Sequence, residues 1–252
     1  MSEYVIIQKD TLTSLCDIIR EEMGTTKLYS LNDILNIIPV DFIHIITGSG
    51  LRTVIPDGIT SIKDFAFYNC THLTSVVIPN GVTSIGGCAF ADCVNISSIE
   101  IPSSVKSIGN QAFRRCKLDN VYITDLISWL EIESNTSILN NSNLFVNGQL
   151  LSDLVIPDGI SNIRADCFSY CDSLTSVIIP DSVKTIDYHA FSSCKNINTV
   201  TFKGRPDVID NYVFLFCGRL TTINVPWSEG EVAGAPWGAT NATINYNVGG
   251  EL

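Results

Sequence analysis

The stretch Leu73–Ile96, LTSVVIPNGVTSIGGCAFADCVNI, holds one full unit of a pattern that recurs along most of the chain. Val76-Val77-Ile78 alternates about one outward residue, which predicts a short strand with Val76 and Ile78 turned inward. Pro79 cannot donate to a ladder and ends that strand. Asn80-Gly81 turns the chain, and Val82 and Ile85 return inward on a second extended piece. Ala89, Phe90 and Cys93 then fall at one-turn spacings on a brief helical segment, before Ile96 opens the next unit. A unit this short cannot bury its own apolar side, so neighbouring units must stack to cover it.

Outward from this unit the same marks repeat. Ile-Pro occurs at Pro56, Pro79 and Pro102, and again at Pro157 and Pro180, with 23 residues between members of each group. Phe67, Phe90, Phe113, Phe168, Phe191 and Phe214 form a second column, stepping by 23, 23, 55, 23 and 23. Cys70, Cys93, Cys116, Cys171, Cys194 and Cys217 form a third, in the same steps. Strands are expected to start near Arg52, Ser75, Ser98, Asn120, Asp153, Ser176, Thr199 and Thr222, which gives about eight coils. Each column should stack like on like, Phe on Phe and Ile on Ile.

Leu73, Val76 and Ile78 follow the LxxLxL spacing of a leucine-rich repeat. The recurring Val-x-Ile-Pro-Asp/Asn-x-Val-x-x-Ile-x-x-x-Ala-Phe-x-x-Cys units resemble the BspA-like leucine-rich repeats of bacterial proteins. The resemblance runs from about Leu51 to Val225 and weakens at Thr199 to Leu220, where Phe202-Lys203 replaces Ile-Pro. It implies an α/β repeat fold, a β-rich leucine-rich-repeat solenoid with short helical turns. It also implies surface recognition or adhesion as a frequent role, without naming a ligand.

Composition narrows the function classes. The 252 residues are 45% apolar, with net charge -11, from 15 basic and 26 acidic side chains. An acidic chain repels phosphate backbones, so nucleic acid is an unsuitable partner. No apolar run of about 18 residues could cross a membrane. Met1 to Asp10 lacks a basic stretch followed by an apolar one, so no secretory leader is legible. The resemblance implies a cell surface or a phage particle as the setting, with the cytoplasm as the alternative.

Three parts depart from the plain repeat. Residues 1–48 read as two short helices, with Leu12, Leu15, Cys16 and Ile19 on one and Leu31, Ile34, Leu35 and Ile38 on the other, the second stopped by Pro39. They form either a helical cap over the first coil or a docking segment for an assembly partner. They also look like short helical leaders on phage tail-associated or prophage proteins, which implies an alternative role as a structural component of such an assembly. The solenoid occupies 49–225, with an inserted coil at 124–152. There Leu126, Ile127, Trp129, Leu130 and Ile132 suggest a short helix, and Asn147-Gly148 a β-hairpin turn inside Leu144 to Leu151. Residues 226–252 form a C-terminal cap and tail in which Trp227 and Trp237 cover the last coil.

Chemistry-bearing patterns are absent. The only histidines are His44, His72 and His189, and no GxSxG, HExxH or P-loop occurs. Six of the nine cysteines share one column, and equivalent positions about 4.8 Å apart suit a disulfide poorly. They are expected to be buried free thiols acting as small apolar spacers. Cys16, Cys88 and Cys167 lie off the column and have no functional reading. No catalytic residue, metal site or cofactor is expected, and the chain is not read as an enzyme. The candidate binding face is the outward strand column Val54, Val77, Glu100, Tyr122, Val155, Ile178, Thr201 and Asn224, together with Trp129, Asn147 and Gly148 of the insertion. An apolar stripe with a polar rim marks a contact surface for a protein or glycan.

Overall fold

The computed structural model describes residues 51–248 apart from 56, 57, 72, 135 and 136, with side chains from Ile55 onward. The expected helices within 1–48, with Cys16 and His44, lie outside the described residues, and so does His72.

The first part of the chain carries β1 (Leu51–Val54), β2 (Ser61–Ile62), β3 (Leu73–Val77), β4 (Ser84–Ile85), β5 (Ser98–Ile101), β6 (Ser107–Ile108) and β7 (Asn120–Ile123). The insertion follows as α1 (Leu126–Leu130), β8 (Asn143–Val146) and β9 (Gln149–Leu150). The second part carries β10 (Asp153–Val155), β11 (Asn162–Ile163), β12 (Ser176–Ile179), β13 (Thr185–Ile186), β14 (Thr199–Phe202), β15 (Val208–Ile209), β16 (Thr222–Asn224) and β17 (Thr243–Asn245).

Each coil gives one longer strand to a main face and one two-residue strand to a flank. The main face is two sheets, β1-β3-β5-β7-β8-β9 and β10-β12-β14-β16-β17, and the flank is β2-β4-β6 and β11-β13-β15. Neighbouring coils pair in parallel and in register, Val76 with Ile99 and Val177 with Val200, apart from one shift at Leu51/Arg52 in the first pair. Side chains alternate with the pleat, so Ile99 and Ile101 are buried while Glu100 between them is exposed. All eight expected strands are present, and β8 and β17 add two further rungs to the main face.

Inward columns stack in file. Phe67 lies on Phe90 with ring centroids 4.9 Å apart, and Phe90 on Phe113 at 5.4 Å, the planes within 3°. Phe168, Phe191 and Phe214 repeat the arrangement at 5.3 and 5.7 Å. Repeated burial of one ring type at one spacing yields a continuous core from units that have none alone.

The segment carrying Ala89, Phe90 and Cys93 keeps its inward spacing but is a run of tight turns rather than a helical turn. Residues at a four-residue spacing, Cys88 and Asp92 or Gln111 and Arg115, take left-handed φ between 52° and 62°. That conformation costs a non-glycine residue about 1 kcal/mol or more. Hydrogen bonds to the next coil offset it: Cys88 N donates to Asn110 O at 3.0 Å, Phe90 N to Ala112 O at 2.8 Å and Asp92 N to Arg114 O at 2.8 Å. Local turn bonds, such as Ala91 N to Cys88 O at 3.1 Å, alternate with them. A helix would spend every amide inside its own coil and leave the stack unpaired.

The cysteines of the described residues are free. They are more than spacers. Cys93 Sγ donates to Phe67 O at 2.9 Å, Cys116 to Phe90 O, Cys194 to Phe168 O and Cys217 to Phe191 O at 3.0–3.1 Å. Each thiol therefore satisfies a buried carbonyl of the preceding coil, which a purely apolar side chain of that size could not do.

The insertion begins with α1, whose N-terminal amides are capped by Asp125, its carboxylate accepting from Ser128 N at 2.6 Å. Trp129, Leu130 and Ile132 turn inward and are buried. The face strand β8 then arrives on schedule, since Asn143 follows Asn120 by 23 residues. It pairs in register with β7, and the hairpin to β9 follows through Asn147 and Gly148, both at positive φ (49° and 74°) as a primed turn requires. Because β8 is occupied by β9, no strand pairing joins either to β10, and the main face divides there. On the turn side the coils stay in contact: Asp172 N donates to Ser142 O at 3.0 Å.

The C-terminal segment adds an altered coil to the stack. Trp237 stands 23 residues after Phe214, and Phe214 N donates to Trp237 O at 2.9 Å. Trp227 and Trp237 are buried and pack against Phe202 with centroids 5.1 and 6.0 Å away. The Trp237 Nε1–H donates to Ala233 O at 2.8 Å, so the ring carries no stranded donor.

Candidate binding face

The outward residues of the main face fall into two ladders of register partners. In the first, Val54, Val77, Glu100, Tyr122 and Phe145 succeed one another on β1, β3, β5, β7 and β8. In the second, Val155, Ile178, Thr201, Asn224 and Asn245 do so on β10, β12, β14, β16 and β17. The side chain of Val54 lies outside the description. Val77, Tyr122, Ile178, Thr201 and Asn224 are half-buried, because β-branched and aromatic neighbours on adjacent rungs shade one another, and Glu100 is exposed. Val155 is 56% exposed, because the main face divides beside it.

Phe145 was hidden in the sequence as part of a hairpin arm. It stacks on Tyr122 with centroids 4.8 Å apart, making a pair of half-exposed rings at the edge of the insertion. The hairpin tip, Asn147 and Gly148, is exposed beside them, and Leu150 on the returning strand is 51% exposed. Trp129 is not on this surface. It is buried, so its expected part in recognition is indirect, as support for the inserted coil.

A polar rim runs alongside. Asn143 Nδ2 donates to Asn120 Oδ1 at 3.2 Å, and Asn224 Nδ2 to Thr201 Oγ1 at 3.3 Å. Ser176 Oγ donates to Asp153 Oδ1 at 2.5 Å. The hydroxyls of Ser176, Ser152 and Thr175 hold the Asp153 carboxyl below the usual carboxylate range. At neutral pH the rim therefore carries an anion with neutral donors and acceptors around it.

The thiols divide in two: hydrogen bonds with Cys93 and Cys194 lower Cys70 and Cys217, whereas the others are poorly placed for chemistry. Burial pushes the Cys116 thiol up to about 12 and the Cys171 thiol to about 11, and it raises Cys167 and Cys194 as well. A thiol held protonated and turned toward a backbone carbonyl is not a thiolate nucleophile. His189 lies 4.0 Å from Asp166 but beside Tyr188 and Tyr212, with no thiol among those neighbours. No group of metal-ligating side chains occurs among the described residues, and no described helix is long and apolar enough to cross a membrane.

Stacked parallel coils with an outward strand wall define a solenoid of the leucine-rich-repeat class, a scaffold for binding proteins. A profile for the BspA type leucine-rich repeat region (6 copies) matches residues 50–141 and 136–232, and the chain belongs to that family. Leucine-rich-repeat proteins are typically non-enzymatic binding modules. Among solved structures, a leucine rich cell surface protein of Faecalibacterium prausnitzii A2-165 is 26% identical, at a TM-score of 0.44 over 70% of this chain and 48% of that one. This chain thus spans about half the length of that protein. A leucine-rich-repeat protein of Treponema pallidum is 27% identical over 69% of each chain at a TM-score of 0.37, and one of Bacteroides ovatus is 23% identical over 77% and 60% at 0.36. No curated protein matches significantly.

Proposed function

We propose that this protein is a non-catalytic binding module of the adhesion type, which takes a protein or glycan ligand on its main strand face and on the insertion at 124–152. The carrying observation is the Tyr122–Phe145 pair, two stacked rings left half-open to solvent beside an exposed hairpin tip. Aromatic rings that serve only the fold are normally covered on both sides, and rings left open inside a polar rim are the usual anchors of a contact surface. The flanking Val77, Ile178 and Val155 extend the apolar area along both ladders.

The test is a capture screen of the purified chain against surface-protein and glycan panels, repeated with Phe145→Lys and with Val77→Lys/Val155→Lys/Ile178→Lys. Capture is expected to drop at least tenfold in each variant, while the melting temperature stays within a few degrees, since outward positions contribute little to folding. Undiminished capture by both variants would refute this assignment of the face.

A further inference from the structure

Among the described residues, every exposed aromatic side chain lies on the turn edge of the coils, and none on the main strand face: Phe65, Tyr68, Tyr170, Tyr188, Tyr212 and Phe216. The fold does not call for rings there. One coil before Tyr188 and His189, the same two positions hold Ala165 and Asp166, and one coil after Tyr188 stands Asn211. The backbone pairs alike whatever the residue: Asp166 N donates to Tyr188 O at 3.2 Å, as Cys88 N does to Asn110 O at 3.0 Å.

Three of these turn-edge rings touch. Tyr188 and His189 stack with centroids 3.6 Å apart and planes 30° from parallel, so the imidazole covers one face of Tyr188. The Tyr212 ring is 5.7 Å from Tyr188 and 6.1 Å from His189, at 79° and 71° to their planes. Nearly equidistant from both members of the stack and upright to both, Tyr212 stands beside the stack and not over it. The outer face of Tyr188 is thus covered by neither ring, and Tyr212 rises at its side. Tyr188 is 46% exposed and Tyr212 48%. His189 Nε2 is withdrawn from water without a partner, so the imidazole backs Tyr188 and does not reach outward.

The charge around this corner has one prevailing sign. Asp187 precedes Tyr188, and Asp210 holds the same place in the next coil, their amides donating to Ile163 O and Ile186 O. Asp166 Oδ1 lies 4.0 Å from His189 Nδ1. The flanking basic residues are engaged elsewhere: the Arg164 guanidinium sits 5.6 Å from the centre of the Trp129 ring, Lys184 Nζ donates to Asp181 O at 2.8 Å, and Lys195 pairs with Asp172 at 3.5 Å. An aromatic face attracts a cation through its quadrupole, and carboxylates nearby add to that attraction. A sugar could use the flat ring but would bring no charge to meet the acids. The chain's net charge of -11 also favours the approach of a basic partner.

We propose that the Tyr188–Tyr212 corner is a docking site for a lysine or arginine side chain presented by a basic segment of a partner protein, its stem against Tyr212 and its cationic head over the open face of Tyr188. The corner lies on a different edge of the coil from Tyr122 and Phe145, so either assignment can fail without the other.

The experiment is a titration of the full chain, followed by the NMR signals of its labelled tyrosine rings, with acetyl-Gly-Arg-Gly-Arg-Gly amide, its lysine counterpart, its citrulline counterpart (the arginine shape without the charge), and cellotriose. Tyr188→Phe and Tyr212→Phe assign the signals. Both basic peptides should shift the two rings and bind about fivefold or more tightly than the citrulline peptide. Tyr188→Ala and Tyr212→Ala should each weaken binding about fivefold, whereas the two Phe variants, which keep the ring, should stay within about twofold of the parent. Asp187→Asn combined with Asp210→Asn should weaken binding and flatten its dependence on salt. No ring shift with either basic peptide, equal binding of the citrulline peptide, full binding by both Ala variants, or a response to cellotriose without the peptides would each overturn the proposal.

Discussion

From Leu73 to Ile123, and again from Asp153 to Asn224, every inward side chain lands on its counterpart in the neighbouring coil, and the rings of Phe67, Phe90 and Phe113 repeat within 3° of parallel. From Thr124 to Ser152 the chain does something else. It delivers one face strand on schedule at Asn143, then doubles back through a hairpin and restarts the face ten residues later at Asp153. The regular regions hold themselves together by sameness, each coil offering its neighbours an identical surface. The interrupted region breaks both sheets, and at that break the molecule leaves Phe145 half-buried, Val155 exposed and two donors of Arg164 unmatched. Stacking makes the rod, and the interruption supplies the features that stacking alone would have averaged away.

That contrast can be broken most forcefully at the ring column. Phe90→Ala removes a fully buried ring with a neighbour on each side, and should cost about 3–5 kcal/mol in urea unfolding. Phe145→Ala, in the interrupted region, should cost about 1 kcal/mol or less, because its ring is half-exposed. Similar losses for the two would mean that the insertion is as integral to the core as the repeats are.

The next test concerns the thiols. Cys116→Ala removes the thiol donor from the Phe90 carbonyl, which keeps only the Cys93 amide, and leaves a small void beside it, for a loss of about 1 kcal/mol. Since burial holds Cys116 at about 12, its alkylation in the native protein should be slow and rise about tenfold per pH unit between 7 and about 9, with no plateau in that range, becoming fast only on unfolding. Rapid native labelling of Cys116, located by peptide mass, would contradict its placement.

At the hairpin, Gly148→Val forces a β-branched residue to φ 74° and should destabilise the chain by about 1–2 kcal/mol. Ligand capture should weaken along with it, while the Phe stack, followed by near-ultraviolet circular dichroism, stays unchanged.

The smallest effect lies at Asp166, whose carboxyl burial raises above the usual range. A raised acid pKa in the folded state means that folding becomes less favourable as pH rises through the carboxylate range. Asp166→Asn should therefore stabilise the chain by up to about 1 kcal/mol at pH 7 and make no difference at pH 3, where the parent side chain is protonated. Measuring the melting temperature at both values checks the sign.

The regular regions were legible in the sequence because one physical demand recurs: each coil position meets the same neighbour, so Ile-Pro, Phe and Cys return at a fixed step. The short helix at Leu126–Leu130 and the Asn147-Gly148 turn were legible too, each from local chemistry. What stayed hidden is what depends on neighbours outside the local pattern. β8 has no Ile-Pro mark and belongs to a hairpin and a ladder at once, so its role as a face strand was masked. The thiol-to-carbonyl bond joins residues 26 apart, one repeat plus three, and no column of identical residues reports such an offset. The turns at Cys88 and Asp92 share the inward spacing of a helix, and only their inter-coil bonds tell them apart. The burial of Arg164 against Trp129 was hidden too, because that ring comes from the insertion and not from the repeat.

A double-mutant cycle across the ring column reads the stacking itself. Phe90→Ala and Phe113→Ala, singly and together, should show a coupling of about 0.5–1.5 kcal/mol, while Phe90→Ala combined with Phe191→Ala should be additive within about 0.5 kcal/mol. Equal coupling in both pairs, or none in either, would mean that the rings do not lie in file and that the solenoid is not built as described.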